Sequence, residues 1–434
     1  MQASDYAGAM SIERNWAGNL AYRASSVEHP ESIDELRELL ARGGRVRVLG
    51  SRHCFNDIAD TTGILIALDR MPQVSEVSPA GDAVRVSAGL RYGDIAPALE
   101  EQGLALANLA SLPHISVAGA VATGTHGSGD GIGSLASAVR ALTLITASGQ
   151  TLSLARGDEG FDGAVVALGA LGVVVDLTLD VEPSYQVAQH VFEKPSWDAI
   201  LRDLGAVTGA GTSVSIFSTW QQSDVADQIW IKQRVAATRA DARELEAGRA
   251  ALAASLGAAP AEGKRHPIIG VDPEACTDQE GVAGPWFQRL PHFKLEFTPS
   301  AGAEIQSEYL VPRIDAVAAI EAVRSLADRI APLLLVNEIR TVRADDLWLS
   351  SSYGTDAVGL HFTWKPDEVA VRELLPTIEA ALPASARPHW GKVFTLDGAE
   401  TRSRYPRWDD FAALVARHDP ERRFVNEYLE RLGL

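Results

Sequence analysis

The sequence predicts an α+β protein built from two domains. Its 434 residues, 46% of them hydrophobic, exceed what one core usually serves. The first portion reads as short strands with few helices. A second series of strand and helix candidates starts near Glu182-Pro183.

The elements follow in order. Residues 32–42 carry Ile33, Leu36, Leu39 and Leu40 at helical spacing. Asp34 and Glu35 sit near the start of that segment and Arg42 near its end, as the helix dipole prefers. Strands are predicted at 46–49, 64–68 and 83–88. Residues 92–102 read as a helix with Ile95, Ala98 and Leu99 on one face. Strands at 141–146 and 151–154 flank Ala147-Ser148-Gly149-Gln150, a hairpin turn. A β-branched run at 172–181 closes the first unit. The second unit has strands at 213–218 and 228–235 and a surface helix at 237–257. An irregular stretch follows at 263–291, of a length that suits either a functional or an irregular loop. Then come a strand at 306–311, a helix at 314–330, strands at 333–342 and 359–365, and a helix at 368–382. There are no internal repeats and no low-complexity tract.

Composition bounds the partners. Lys plus Arg is 39 and Asp plus Glu is 57, a formal charge of 39 − 57 = −18. So acidic a chain repels nucleic acid and anionic membrane surfaces. A neutral or cationic small molecule is the better match. Two cysteines, Cys54 and Cys276, argue against a disulfide framework and for a reducing compartment. Residues 1–14 lack the apolar core of a signal peptide. The longest low-polarity run, 164–175, falls short of the roughly 20 residues that span a bilayer. A cytoplasmic location is expected, with no nucleic acid and no membrane partner.

Three motifs carry the chemistry. In the first, an alternating strand from Arg45 to Leu49 runs into Gly50, and His53 follows three residues later. Glycine lets the backbone turn sharply or approach a ligand closely. A histidine held on such a turn can act as a nucleophile toward a cofactor. In the second, six glycines fall within the fifteen residues 119–133, interleaved with Ser and Thr. Such a loop can turn many N–H groups toward one anion and suits a pyrophosphate. The apolar residues 115–122 leading into it favour a buried, ligand-lined loop over a flexible surface one. The third is His389-Trp390-Gly391-Lys392. A lysine in an apolar run is costly unless paired, and a lysine reaching out from a strand end explains it equally well.

Two strands add a constellation. Glu338 and Arg340 lie two apart and share one strand face with Leu334, Val336 and Val342. This is either a buried structural ion pair or a clamp for a polyhydroxylated ligand. His361 and Thr363 likewise share a face. Other chemistries fail on their motifs. The glycines lead into a hairpin and not into a βαβ unit, which disfavours a nicotinamide dinucleotide. There is no phosphate-binding G-x-x-x-x-G-K-[ST] segment, no G-x-S-x-G elbow and no H-E-x-x-H helix. Scattered histidines and the lack of a cysteine pair at zinc spacing make a metal site improbable.

Together these motifs resemble the vanillyl-alcohol-oxidase-like flavoproteins, and within them the alditol oxidases. The stretches that carry the likeness are 50–56, 111–119, 122–129 and 389–392. Asn15 to Gly18, Gly284 to Trp286, Leu290 to Phe293 and Ser307 to Leu310 add to it, so it covers nearly the whole chain. His-Trp-Gly-Lys occurs in sugar-lactone oxidoreductases as well. Around His53 this chain has Arg52 and Cys54, where Gly and Ser also occur in relatives.

The resemblance implies an FAD-binding domain over 1–187, completed by 388–434, and a substrate domain over 188–387 with a mixed or antiparallel sheet. It implies FAD linked through its 8α-methyl group to His53. It implies a cofactor cradle of Gly50, Ser51, Arg52, Cys54 and Asn56 with Ser111, Ser116, Gly119, Thr123, Gly124, His126, Gly127 and Ser128. It also implies a substrate site of Ser111, Glu338, Arg340, His361, Thr363 and Lys392, with Lys392 handling the hydroxyl proton. The implied reaction oxidises the C1 hydroxyl of an alditol such as xylitol or sorbitol, with O2 reduced to H2O2, in a monomeric enzyme. The alternatives are an aldonolactone oxidoreductase with another electron acceptor and a polyol-binding protein without turnover.

Overall fold

In the computed structural model, residues 14–297 and 303–434 are described. Of the segment read for a signal peptide, all but Arg14 lies outside the described residues. No helix among them is long and apolar enough to cross a membrane.

The first helix, Ile33–Ala41, starts where Ser32 accepts a hydrogen bond from the Glu35 N–H, a side-chain cap. Its buried Leu36 and Leu40 share a small core with Val46 and Ile66. Those two residues belong to a three-stranded parallel sheet in the order Ser26–Glu28, Ile64–Ile66, Val46–Val48. Beside it lies a five-stranded antiparallel sheet, ordered Ser75–Val77, Ala83–Ser87, Val173–Asp180, Val139–Ile145, Thr151–Ala155. The expected hairpin is there: Ile145 pairs with Thr151, and Gly149 supplies the positive φ of +78° that the turn requires.

The larger sheet has nine strands. The order is Ala259–Pro260, Gln186–Glu193, Gln228–Arg234, Ser213–Ser218, Leu334–Val342, Ala357–Trp364, Ile305–Pro312, Arg387–Pro388, with Gly284–Pro285 paired to Gln186–Glu193. One face is apolar. Ile216, Ile229, Ile339, Leu360 and Phe362 pack there against Ile320 and Val323 of the helix Ala316–Ser325 and Leu375 and Ile378 of Glu368–Ala381. Each such side chain stabilises the fold by about 1.5–3 kcal/mol on burial. The opposite face carries the polar residues described below.

After this sheet the chain returns to the first part. Trp408 and Phe411 of the helix Trp408–His418 and Tyr428 and Leu429 of Glu427–Leu432 share a core with Leu142, Phe161 and Leu177. Arg47, 4% exposed, ties the return together by donating to the carbonyls of Ile58, Leu168, Gly169 and Phe424.

The structure corrects several expectations. The helix expected over 314–330 is a 3-10 turn, Arg313–Asp315, then Ala316–Ser325 and Ala327–Ile330. Leu326 N–H closes on Val323 O, an i−3 bond that ends the longer helix. Leu334 does not share the face of Glu338. A bulge between Leu334 and Val336 shifts the register there. Leu334 therefore packs with Ile339 on the helix-covered face, while Val336 packs with Phe217 and Trp230 on the other. The strand Gln186–Glu193 and the helices Val117–Ala122, Trp197–Arg202 and Leu204–Thr208 were not anticipated.

Candidate active site

Strand register assembles the polar face. Glu308, His361 and Glu338 stand in line on three neighbouring strands. The period-2 pleat puts Arg340 and Thr363 one step along on the same side. Glu308 is the hub. Its fully buried carboxylate accepts from Lys392 Nζ at 2.6 Å and from Arg340 at 3.0 Å. His126 Nε2 lies 3.2 Å away and His361 Nδ1 3.5 Å away. Burial alone would raise the Glu308 pKa, but Lys392, His126 and Arg340 outweigh it and hold the carboxyl well below its ordinary range. Sequence reading left Glu308 out of the site. The available signal was a lone carboxylate within the mostly apolar run 305–312.

Lys392 reaches Glu308 because a distant loop holds its turn. Asn56 Nδ2 donates to Trp390 O and to Lys392 O, both at 2.8 Å. Phe55 N–H donates to Gly391 O at 2.7 Å. Gly391 suits this close approach, since a Cβ there would lie a tight 3.1 Å from Cys54 Sγ. Lys392 Nζ also donates to His361 Nδ1, which leaves His361 Nε2 to donate to Thr363 Oγ1 at 3.1 Å. Burial lowers the Lys392 pKa, with Glu308 opposing. Burial, with Lys392 next, lowers His361 to about 4.

The second carboxylate, Glu338, sits between Arg340 Nε at 3.6 Å and His292 Nε2 at 2.8 Å. Burial would raise its pKa, but Arg340 and His292 hold it well below the ordinary value. His292 follows directly on the irregular stretch 263–291. Its backbone N–H donates to Ser111 O at 3.2 Å, which ties the Ser111 segment to His292. His292 and its buried neighbour Lys232 were also missed. A histidine in a loop and a lysine in a strand carry no periodic signal.

The loop around His53 meets the glycine-rich segment. Ser51 and Ser116 exchange hydrogen bonds, Ser116 N–H to Ser51 Oγ at 3.0 Å and Ser51 N–H to Ser116 Oγ at 3.3 Å. Cβ atoms at Gly50 and Gly119 would lie 2.5 and 2.6 Å from Ser116 Oγ, so a side chain at either position would displace the hydroxyl that Ser51 N–H donates to. Arg52 has φ +62°, a left-handed conformation natural to glycine. The His53 ring stacks on Trp16 at 5.1 Å between centroids. Its Nδ1 is buried without a hydrogen-bond partner among the described residues. Burial lowers its pKa to about 4, so the ring is neutral and nucleophilic at physiological pH.

The remaining candidates divide. Thr123 Oγ1 donates to Gly119 O at 3.0 Å, and Gly124 turns the chain at φ +66°. Gly127 packs against Asn108 and Leu109 O. The Ser128 hydroxyl donates to Val214 O and accepts from Thr341 N–H, which pins the loop to the large sheet. The His126 side chain points at Glu308. The side chains of Asn56, Thr123, His126 and Ser128 are thus engaged within the protein. The glycine-walled approach of 50–53 to 116–119, with an unpartnered imidazole nitrogen beside it, fits a bound FAD.

Comparisons with known proteins agree. Residues 24–155 match an FAD binding domain, and residues 303–432 match the D-arabinono-1,4-lactone oxidase family. An alditol oxidase from a Streptomyces species is 46% identical over 422 residues, 96% of this chain and 98% of the relative. An L-gulono-1,4-lactone dehydrogenase of Mycobacterium tuberculosis is 30% identical, over 97% of this chain and 99% of its own length. Among solved structures, a solvent-stable cholesterol oxidase superposes with a TM-score of 0.74 at 18% identity, covering 97% of both chains, which shows the two-domain FAD-binding fold. A cholesterol oxidase from B. sterolicum gives 0.73 at 14% identity, covering 96% of both chains. With motif, fold and full-length similarity in agreement, the chain belongs to the alditol oxidase family of FAD-binding oxidoreductases.

Proposed function

We propose that this protein oxidises the terminal hydroxyl of an alditol to the aldose, with O2 as acceptor and H2O2 as product. The observation that carries the reading is the buried ion cluster on the sheet face, which offers a flexible polyol both acceptors and donors. Glu338 accepts from one substrate hydroxyl, and Arg340 donates to a neighbouring one. Such charge-assisted bonds are roughly twice as strong as neutral ones. His361, Thr363 and Ser111 complete the orientation. When bound, the flavin supplies the hydride acceptor and passes the electrons to O2. Lys392 takes the hydroxyl proton, a role that its burial-lowered pKa supports. Glu308 then stabilises the ammonium that forms.

We assign His53 as the covalent attachment point, supported by its neutral ring and unpartnered Nδ1. Residues 1–187 with 388–434 form the FAD-binding domain in this reading, and 188–387 the substrate domain. The shared core of the C-terminal helices with the five-stranded sheet supports the division. A monomer in the cytoplasm remains the working expectation.

The test is anaerobic mixing of the flavoprotein with xylitol, followed by air. Bleaching of the flavin band and fast recovery in air is the expected result. Bleaching with slow recovery would favour a dehydrogenase, the second reading, which the lactone-oxidase match over 303–432 supports. No bleaching with any alditol would refute the proposal.

A further inference from the structure

Behind Glu338 lies a buried cation that the proposed chemistry does not use. Lys232, on the strand Gln228–Arg234, is 1% exposed. Its Nζ is 2.5 Å from Leu290 O, 3.1 Å from Pro291 O and 3.0 Å from His292 Nδ1. An ammonium has three N–H donors and no acceptor, and three acceptors meet it here. The carbonyls can only accept, so the polarity of the chain is set. His292 Nδ1 accepts from Lys232, its hydrogen is on Nε2, and Nε2 donates to Glu338 Oε1 at 2.8 Å. The ring is held in place. His292 O accepts from Thr277 N–H at 2.9 Å, and the rings of Trp230 and Phe217 meet the imidazole edge-on at 5.2 and 5.6 Å.

We propose that Lys232 and His292 are positioning residues that act on the substrate through Glu338. The buried ammonium locks His292 in its Nε2–H tautomer, and that donor keeps Glu338 ionised and aimed at a substrate hydroxyl. The inference rests on Glu338 binding substrate, as proposed above.

The charges balance in this arrangement. Glu308 and Glu338 are matched in charge by Arg340 and Lys232, and burial lowers the pKa of Lys392 beside them. The titratable groups facing the Lys232–His292 pair are Glu338 and Arg340, both from the strand Leu334–Val342, and Cys276 from the loop bridged to Phe293. The Cys276 thiol is pushed up by burial to about 12 and stays neutral. Burial lowers Lys232 to about 7, with Glu338 opposing.

Loss of the Lys232 proton reverses the chain. The neutral amine has two hydrogens and a lone pair for three acceptors. His292 then turns an Nδ1–H toward the amine, and its bare Nε2 faces the Glu338 carboxylate. Polyol binding therefore weakens as pH rises through the Lys232 titration. Proton acceptance by Lys392 improves with rising pH, so the two effects fall on different constants, Kd and the reduction rate.

The experiment is anaerobic stopped-flow reduction of the holoenzyme by xylitol across pH, which yields both constants, for wild type, Lys232→Met, His292→Gln and Glu338→Gln. In wild type, Kd should rise with pH on the alkaline side. K232M should raise Kd about ten- to a hundredfold, the factor of a buried charge-assisted hydrogen bond, and flatten its pH dependence. In H292Q the amide still donates to Glu338 without help from Lys232. Its Kd should stay within about threefold of wild type, since one neutral donor to the carboxylate replaces another, and should not rise on the alkaline side. FAD content and melting temperature on the same samples identify a misfolded variant. If K232M does not hold FAD, H292Q decides alone. An alkaline rise in Kd that persists in H292Q overturns the relay, as does wild-type behaviour of a folded K232M. E338Q separates the two layers. An unchanged Kd in E338Q refutes the role of Glu338 itself, whereas a raised Kd there, with no effect in the other two, refutes the relay alone.

Discussion

Replacing Glu308 by Gln tests the electrostatic account of Lys392 directly. The substitution keeps the shape and removes one charge from a carboxylate with no exposed side-chain surface. Lys392 Nζ lies 2.6 Å from it. At an effective dielectric constant of about 20, that separation corresponds to about 6 kcal/mol of Coulomb attraction. This is a ceiling, because the amide oxygen still accepts and Glu338 still attracts Lys392. Breaking a buried pair typically costs about 3–5 kcal/mol. Two effects follow. Among the described residues Arg340 keeps only Glu338 at 3.6 Å as a carboxylate partner, so the variant melts at a lower temperature. Lys392 loses the main group opposing its desolvation, so it titrates at lower pH. The assay is the flavin reduction rate at saturating xylitol, measured without oxygen across the range where lysine titrates. The acid limb of that rate should move to lower pH in E308Q. A folded, FAD-loaded E308Q whose limb coincides with wild type would refute the pairing of Glu308 with the proton-accepting lysine.

Three further outcomes are expected. Lys392→Met should retain FAD and lose about 10²–10⁴-fold in reduction rate, the usual worth of a general base; an unchanged rate would remove the lysine from the chemistry. Wild-type protein precipitated in acid should give a yellow pellet and His53→Ala a colourless one; colour retained in the denatured variant would end the linkage assignment. Stability should fall on acidification. His292 and His361 are lowered from 6.5 to about 4, chiefly by burial. The unfolded chain protonates them first, so stability is complete above about pH 6.5 and falls as pH drops toward about 4, by up to about 3 kcal/mol for each histidine. The melting temperature should decline through that window, and less in H292Q; a flat profile would contradict the buried, neutral assignment.

Local pattern made much of the molecule legible. Helical spacing located Ile33–Ala41 and Glu368–Ala381, and alternation located Ser213–Ser218 to the residue. The motifs around His53 and Lys392 were visible because glycine beside a reactive side chain marks a tight turn. What joins them was not visible. Asn56 holds Trp390 O and Lys392 O across more than 330 residues, and no local signal reports a bond over that distance. The irregular stretch from 263 illustrates the same limit. Its lack of periodicity was plain in the sequence, whereas its supply of the Leu290 and Pro291 carbonyls around Lys232, with His292 just past its end, was not.

The pleat has a period of two, so the sequence alone determined that Glu338 and Arg340 share a face, and likewise His361 and Thr363. It did not determine what stands across from them. Sheet order did that, by setting Ile305–Pro312 beside Ala357–Trp364 and bringing Glu308 into line with His361 and Glu338. The bulge at Leu334 is a tertiary outcome of the same kind. A side chain's direction is a property of its own strand. Its ion pairs, its burial and the pKa they impose depend on strands far away in the chain.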